Sequence, residues 1–192
     1  VPAKAIKMLK FSFNPKKSTQ AAAVLLKLNK GDMENYLFIK MLYLADRAAL
    51  DKWGDPITGD RTVSMPYGPV LSTIYNLTKG QCQTIRAFWE KFITDADQET
   101  NRISLKGDPG EDELSRAEIK ILESVHTKFK SYSWKQIHDF CAKLGEYEDV
   151  GKSSKPLPTE RILKSLGKTP REIVETEQKI RELQVADLLL GC

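Results

Sequence analysis

Three aspartates and two arginines fall close together in this chain, as Asp46-Arg47, Asp55 and Asp60-Arg61. Carboxylates that converge can hold a divalent cation or move protons. A structural reading competes with that one. Aspartate in a turn bonds backbone N–H groups nearby, and Asp–Arg pairs pin loops to helices. The structural reading is the better one, because no histidine in the neighbourhood completes an enzyme site. Asp46, Asp60 and Tyr67 are then expected to form one polar network that fixes the loop from Gly54 to Val70, with Arg47 and Arg61 as partners of the acids.

Other chemistry is sparse. His126 and His138 lie beside apolar residues at helical spacing and read as core or surface histidines rather than ligands. Cys82, Cys141 and Cys192 are widely spaced, with no Cys-x-x-Cys pair, so neither a zinc site nor a disulfide framework is indicated and a reducing cytoplasm is expected. No phosphate loop, nucleophile elbow or His-Glu-x-x-His occurs. No cofactor is expected. Tyr67-Gly68-Pro69 is a bend that reads two ways: the ring is an anchor on an interaction surface, or it is buried with its hydroxyl on Asp46 or the loop backbone.

The elements that must position these residues are mostly helical. A helix is expected from Ser18, as N-cap, to about Asn29, and a longer one from Asp32 to about Lys52. The second has Leu37, Met41, Leu44 and Ala48 at helical spacing, with Phe38, Leu42 and Ala45 widening the stripe, so it belongs at the centre of the core. Three glycines and three prolines then punctuate residues 54–69, which demands special backbone angles at several points. A short strand is expected at Arg61 to Met65, a helix with Pro69 in its first turn, a short aromatic helix from Ile85 to Ile93 and a second strand around Ile103. Ser115-Arg116-Ala117-Glu118 and Thr169-Pro170-Arg171-Glu172 are capping boxes, and Ser133 caps a helix between them. The last helix carries a seam of Ile173, Thr176, Ile180, Leu183, Asp187 and Leu190, which fits packing on the chain's own core or on a partner.

The 192 residues suit one domain, mainly α, a single globular helical domain with a small two- or three-stranded β element. No apolar run is long enough to span a membrane, and the first residues lack the pattern of a signal peptide. Net charge is +4, but residues 1–31 hold seven lysines and no acid, so the remainder carries −3. Residues 1–17 therefore read as a basic N-terminal arm and 18–192 as the domain proper. Such an arm can attract nucleic acid, although a solvated leader is the plainer reading.

One combination of motifs is more specific than any of these features. Leu42-Tyr43-Leu44-Ala45-Asp46-Arg47 ends a helix. Gly54-Asp55-Pro56-Ile57-Thr58-Gly59-Asp60 forms the loop, and Tyr67-Gly68-Pro69-Val70 follows. In this order and spacing the segment resembles the Panacea domain of SocA-like antitoxins, best from Ser18 to about Leu77. The resemblance implies a bacterial or phage antitoxin that neutralises its cognate toxin by direct protein contact, by occlusion or by delivery to a cytoplasmic protease, without enzymatic activity. It marks Tyr43, Asp46, Arg47, Pro56, Thr58, Gly59, Asp60, Tyr67, Gly68 and Pro69 as the motif or partner-binding positions. The alternative is a nucleic-acid-binding transcriptional regulator that uses the lysine arm.

Overall fold

The computed structural model describes residues 11–190 and leaves out the side chains at 183, 184 and 186–190. Helix α1 (Pro15–Leu28) opens at Asn14, whose side chain accepts a hydrogen bond from the Lys17 amide at 2.9 Å. The expected cap, Ser18, instead lies one turn inside the helix, buried, with its hydroxyl on the Thr58 carbonyl. Asn-Pro is the stronger start signal: asparagine caps, and proline has the helical φ and no N–H to satisfy. Phe11 and Phe13, just before it, pack against the core.

Strand β1 (Asp32–Glu34) precedes α2 (Asn35–Trp53). Asp32 is not the cap of α2. Glu34 is, accepting from the Tyr36 and Leu37 amides at 3.1 and 2.8 Å, because Asp32 to Glu34 pair antiparallel with β4 (Arg102–Ser104). Strands β2 (Thr62–Met65) and β3 (Gly68–Leu71) form a hairpin with Pro66 and Tyr67 at its tip, and β5 (Lys155–Pro156) pairs with the other edge of β2. Pro69 thus sits in a strand and not in the first turn of a helix; α3 (Ser72–Thr78) starts three residues later. The β component is two separate antiparallel sheets, β1–β4 and β3–β2–β5.

The remaining helices are α4 (Gln83–Phe92), α5 (Arg116–Phe129), α6 (Trp134–Ala142), α7 (Thr159–Ser165) and α8 (Pro170–Leu190). Ser115 and Ser133 make the capping boxes of α5 and α6. Thr169 and Glu172 bond reciprocally at the head of α8. The chain is mainly helical, and α2 is its axis, packed by α1, α3, α5, α6, α7 and β3. Neighbours on every side explain why Leu37, Phe38, Met41, Leu42, Leu44 and Ala45 are all buried rather than confined to one stripe. Ala21, Ala22 and Ala23 of α1 are fully buried, and their small side chains let α4 and α5 close over it.

The seam of α8 is covered by the chain itself where it is described: Ile173 and Ile180 are buried. Leu183, Asp187 and Leu190 lie outside the described side chains, as Cys192 lies outside the described residues. Among the described residues no helix is long and apolar enough to cross a membrane.

Candidate functional site

Two adjacent faces of α2 position the motif residues. On one, Asp46 Oδ1 accepts from the Ile57 and Thr58 amides, each at 3.0 Å, and Oδ2 accepts from the Thr58 hydroxyl. The Thr58 hydroxyl oxygen in turn accepts from the Asp60 amide at 3.1 Å. Asp60 then reaches the next helix. Its Oδ1 accepts from the Arg61 and Thr73 amides at 2.7 and 3.1 Å, and Oδ2 from the Ile74 amide at 2.9 Å. The N-cap residue of α3, Leu71, offers no side-chain acceptor, so Asp60 caps that helix from a distant loop. Burial pushes the Asp46 carboxyl up to about 7, against the bonds from Thr58 and Ile57. Burial also raises Asp60, opposed by the amides of Ile74, Thr73 and Arg61.

These two carboxylates therefore join through Thr58 and are engaged by the backbone. Asp55 does not join them; it is half-buried and faces the charges of Lys179, Lys17 and Glu118, and burial raises its carboxyl. Among the described residues no three or more His, Cys, Asp or Glu side chains are grouped to hold a metal ion. Asp60→Ala is expected to cost about 1–2 kcal/mol. It should also speed hydrogen exchange at the Thr73 and Ile74 amides in particular. Unchanged exchange there would show that α3 does not need this cap.

On the other face, Tyr43 and Arg47, one turn apart, close on a single acid that the sequence did not single out. Glu146 is fully buried. Its Oε1 accepts from the Tyr43 hydroxyl at 2.7 Å and from Arg47 Nε at 2.5 Å, and its Oε2 accepts from Arg47 Nη2 at 3.2 Å and from the Ser165 hydroxyl. Burial by itself would raise Glu146, but the bonds from Arg47, Ser165 and Tyr43 together hold it below the usual carboxylate range. Arg47 is thus the partner of Glu146 and not of the loop aspartates, and Arg61 is exposed. This cluster ties α2 to the segment after α6 and to α7.

The loop's small residues make close approaches possible. Pro56 and Gly59 are buried. Gly59 has φ +68, and a Cβ there would stand 2.2 Å from the Ser12 carbonyl oxygen, so no other residue fits without moving the strand of chain before α1. Gly68 has φ +101, and a Cβ would lie 3.1 Å from Lys40 Nζ and 3.3 Å from Cys141 Cβ. The Pro69 carbonyl accepts from Lys40 Nζ at 2.9 Å.

Tyr67 does not share in the Asp46–Asp60 network. Its side chain is 61% exposed, its carbonyl accepts from the Tyr36 hydroxyl at 2.6 Å, and its ring meets His138 edge-on at 6.1 Å. The hairpin tip carries it outward because Gly68 and Pro69, not Tyr67, face the core. Trp134, 59% exposed, meets the Tyr36 ring at 6.4 Å and completes an aromatic surface that sequence reasoning missed. His126 is buried beside Asn29, and burial and Lys130 lower its basicity. His138 stands beside Asp139.

The N-terminal lysines that are described are largely engaged. Lys16 pairs with Asp112 and Glu113, Lys17 with Glu118, and Lys27 with Asp108 and Glu111. Lys4, Lys7 and Lys10 lie outside the described residues.

Comparison with curated proteins and with solved structures finds no match. The family model for the antitoxin SocA-like Panacea domain matches residues 38–146. That span starts in α2, later than the Ser18 start of the motif resemblance, and runs on through α5 and α6 to Glu146. It takes in Asp46, the glycine- and proline-rich loop, the hairpin and both ends of the Tyr43–Arg47–Glu146 cluster, over more than half of the chain. The chain belongs to the SocA-like antitoxin, Panacea-domain family.

Proposed function

We propose that the chain neutralises a cognate toxin by direct protein–protein binding, within the cytoplasm of a bacterial cell. Family membership carries this reading: an antitoxin family implies a toxin partner and suggests a non-catalytic role. The motif acids support it, since Asp46 and Asp60 are bonded by loop and helix N–H groups and stiffen a surface-presenting scaffold. Occlusion by a stable complex is the simpler mode. Delivery of the toxin to a cytoplasmic protease would use the same contact, with a second surface for the protease. A nucleic-acid role for the lysine arm is the second reading; of its described lysines, Lys16 and Lys17 are already paired with carboxylates of their own chain.

The test is genetic and biochemical. The gene adjacent to this one is expressed alone and then together with it. Growth arrest by the neighbour alone, rescue on co-expression and co-purification of the two proteins are the expected results. A neighbour whose arrest is not relieved, with no complex recovered, overturns the antitoxin reading.

A further inference from the structure

The exposed large hydrophobic side chains include two aromatic rings, Tyr67 and Trp134, and both stand on one face. Tyr67 is at the tip of the β2–β3 hairpin, and Trp134 is the first residue of α6. Between them Tyr36 touches both: its ring meets Trp134 at 6.4 Å, and its hydroxyl holds the Tyr67 carbonyl at 2.6 Å. His138, one turn along α6 from Trp134, backs the Tyr67 ring. Four rings from three elements thus form a continuous surface whose backbone positions are fixed by hydrogen bonds. Tyrosine and tryptophan offer large, stiff contact area and are the residue types that most often dominate a protein interface.

Beneath this surface lies a cation without a counter-charge. Lys40 is 1% exposed, yet its ammonium has one acceptor, the Pro69 carbonyl, and makes no ion pair with a carboxylate among the described residues. The Tyr36 ring lies 5.2 Å from Nζ. The Gly68 backbone lies directly over the ammonium: a Cβ there would point inward, 3.1 Å from Nζ, so glycine lets the hairpin close onto the lysine. The surface acids close by are engaged elsewhere. Glu34 caps α2 and accepts from Asn101, and Asp139 is paired with Lys135 and His138. The positive charge lies directly under Gly68 and Pro69, in a poorly polarisable setting with little water to screen it, so its field reaches the surface above them.

We propose that the hairpin tip and the head of α6 form the toxin-docking face, and that its occupant is an acidic segment of the toxin. An apolar side chain of that segment seats between Tyr67 and Trp134, and a carboxylate lies over Gly68 toward Lys40. Aromatic anchors around a desolvated charge are the arrangement in which an opposite charge from a partner contributes both affinity and selectivity. The proposal rests on the antitoxin reading and names the surface that serves it.

The experiment measures binding of the purified chain to the product of the adjacent toxin gene, held inactive by a substitution in its own active site. Tyr67→Ala and Trp134→Ala remove exposed rings and should keep the melting temperature while weakening binding by about 30-fold or more each. Lys40→Met should weaken binding by about 10-fold or more and flatten its salt dependence. Val174→Ala, at a distant exposed position on α8, serves as the control and should bind as the wild type does. Binding within about threefold of wild type for Tyr67→Ala and Trp134→Ala overturns the docking face and leaves the antitoxin reading intact. A loss confined to the Val174 variant also overturns it and moves the contact to α8. Failure of the wild-type chain to bind at all overturns the antitoxin reading, and the docking face with it.

Discussion

Glu146→Ala is expected to destabilise the isolated protein by about 3–5 kcal/mol, because three side chains converge on this one buried carboxylate. The reason is what would be left behind. Arg47, the Tyr43 hydroxyl and the Ser165 hydroxyl all point at the Glu146 carboxylate; Tyr43 is buried with it, and Arg47 and Ser165 are only partly open to water. Removing one partner of such a set strands the others, which costs more than the set contributes while intact. Arg47→Ala with Glu146→Ala should therefore cost less than the two single changes added together, and a double-mutant cycle by chemical denaturation measures the difference. Because Glu146 titrates below the usual carboxylate range, its contribution is present above the ordinary glutamate pKa and is lost as pH falls through the lowered value. Wild type should thus lose stability in acid more steeply than the Ala variant. Additive single effects, with the same acid slope in both proteins, would show that the cluster is not coupled.

That cluster also marks where sequence reasoning stopped. Tyr43 and Arg47 sit four apart on a helix and so share a face, which is legible from spacing alone. Their partner was not legible. Glu146 stands in a polar stretch with Glu148 and Asp149, and nothing local separates a buried acid from two solvated ones. Its burial is a property of how α6 and α7 return to α2. Asp46 and Asp60 were legible as loop-holding residues because turn aspartates have a short-range rule to follow. Tyr67 could be read either way, since the Tyr-Gly-Pro bend leaves open which side of the hairpin faces water. Lys40 did carry a signal: it interrupts the apolar run Leu37-Phe38-Ile39-Lys40-Met41-Leu42, where a lysine is hard to place on a solvated face.

The helices were largely legible for the same reason that caps are: their signals are local. Ser115, Ser133 and Thr169 cap the helices they announce. The differences occur where a tertiary contact overrides the local signal. Asp32 has the chemistry of a cap, but pairing with Arg102 to Ser104 keeps its backbone extended, and the cap moves to Glu34. Pro69 would suit a first helical turn, yet the β2–β3 ladder holds it extended while Asp60 supplies the missing cap to α3. In both cases a residue far away in sequence provides the hydrogen bonds that decide the outcome.

The second large effect has the opposite sign. Lys40→Met is expected to stabilise the isolated protein at pH 7 by about 1–3 kcal/mol. Lys40 carries its charge into the core, where burial lowers its pKa from the ordinary 10.5 to about 8. The groups that face it cannot offset this at neutral pH. Cys141, whose thiol burial raises to about 11, is uncharged, and so is the Tyr36 hydroxyl, which burial also raises. The sign follows from proton binding. Below about 8 both the folded and unfolded chains hold the lysine proton, and the fold carries the full cost of burying the charge, roughly 3 kcal/mol. Between about 8 and 10.5 the unfolded chain keeps a proton that the folded chain has released, so stability rises with pH across that window. Methionine has a similar length and no charge, so the variant should lose this rise and gain most of the cost back, less the bond to the Pro69 carbonyl. Denaturation at pH 7 and at pH 9.5 measures both effects. A Lys40→Met protein less stable than wild type at pH 7, or one that keeps the same alkaline rise, would show that the ammonium is compensated after all. If the gain appears while toxin binding falls, the isolated protein bears the cost of a charge that its partner's carboxylate would relieve, and stability has been traded for recognition at the hairpin tip.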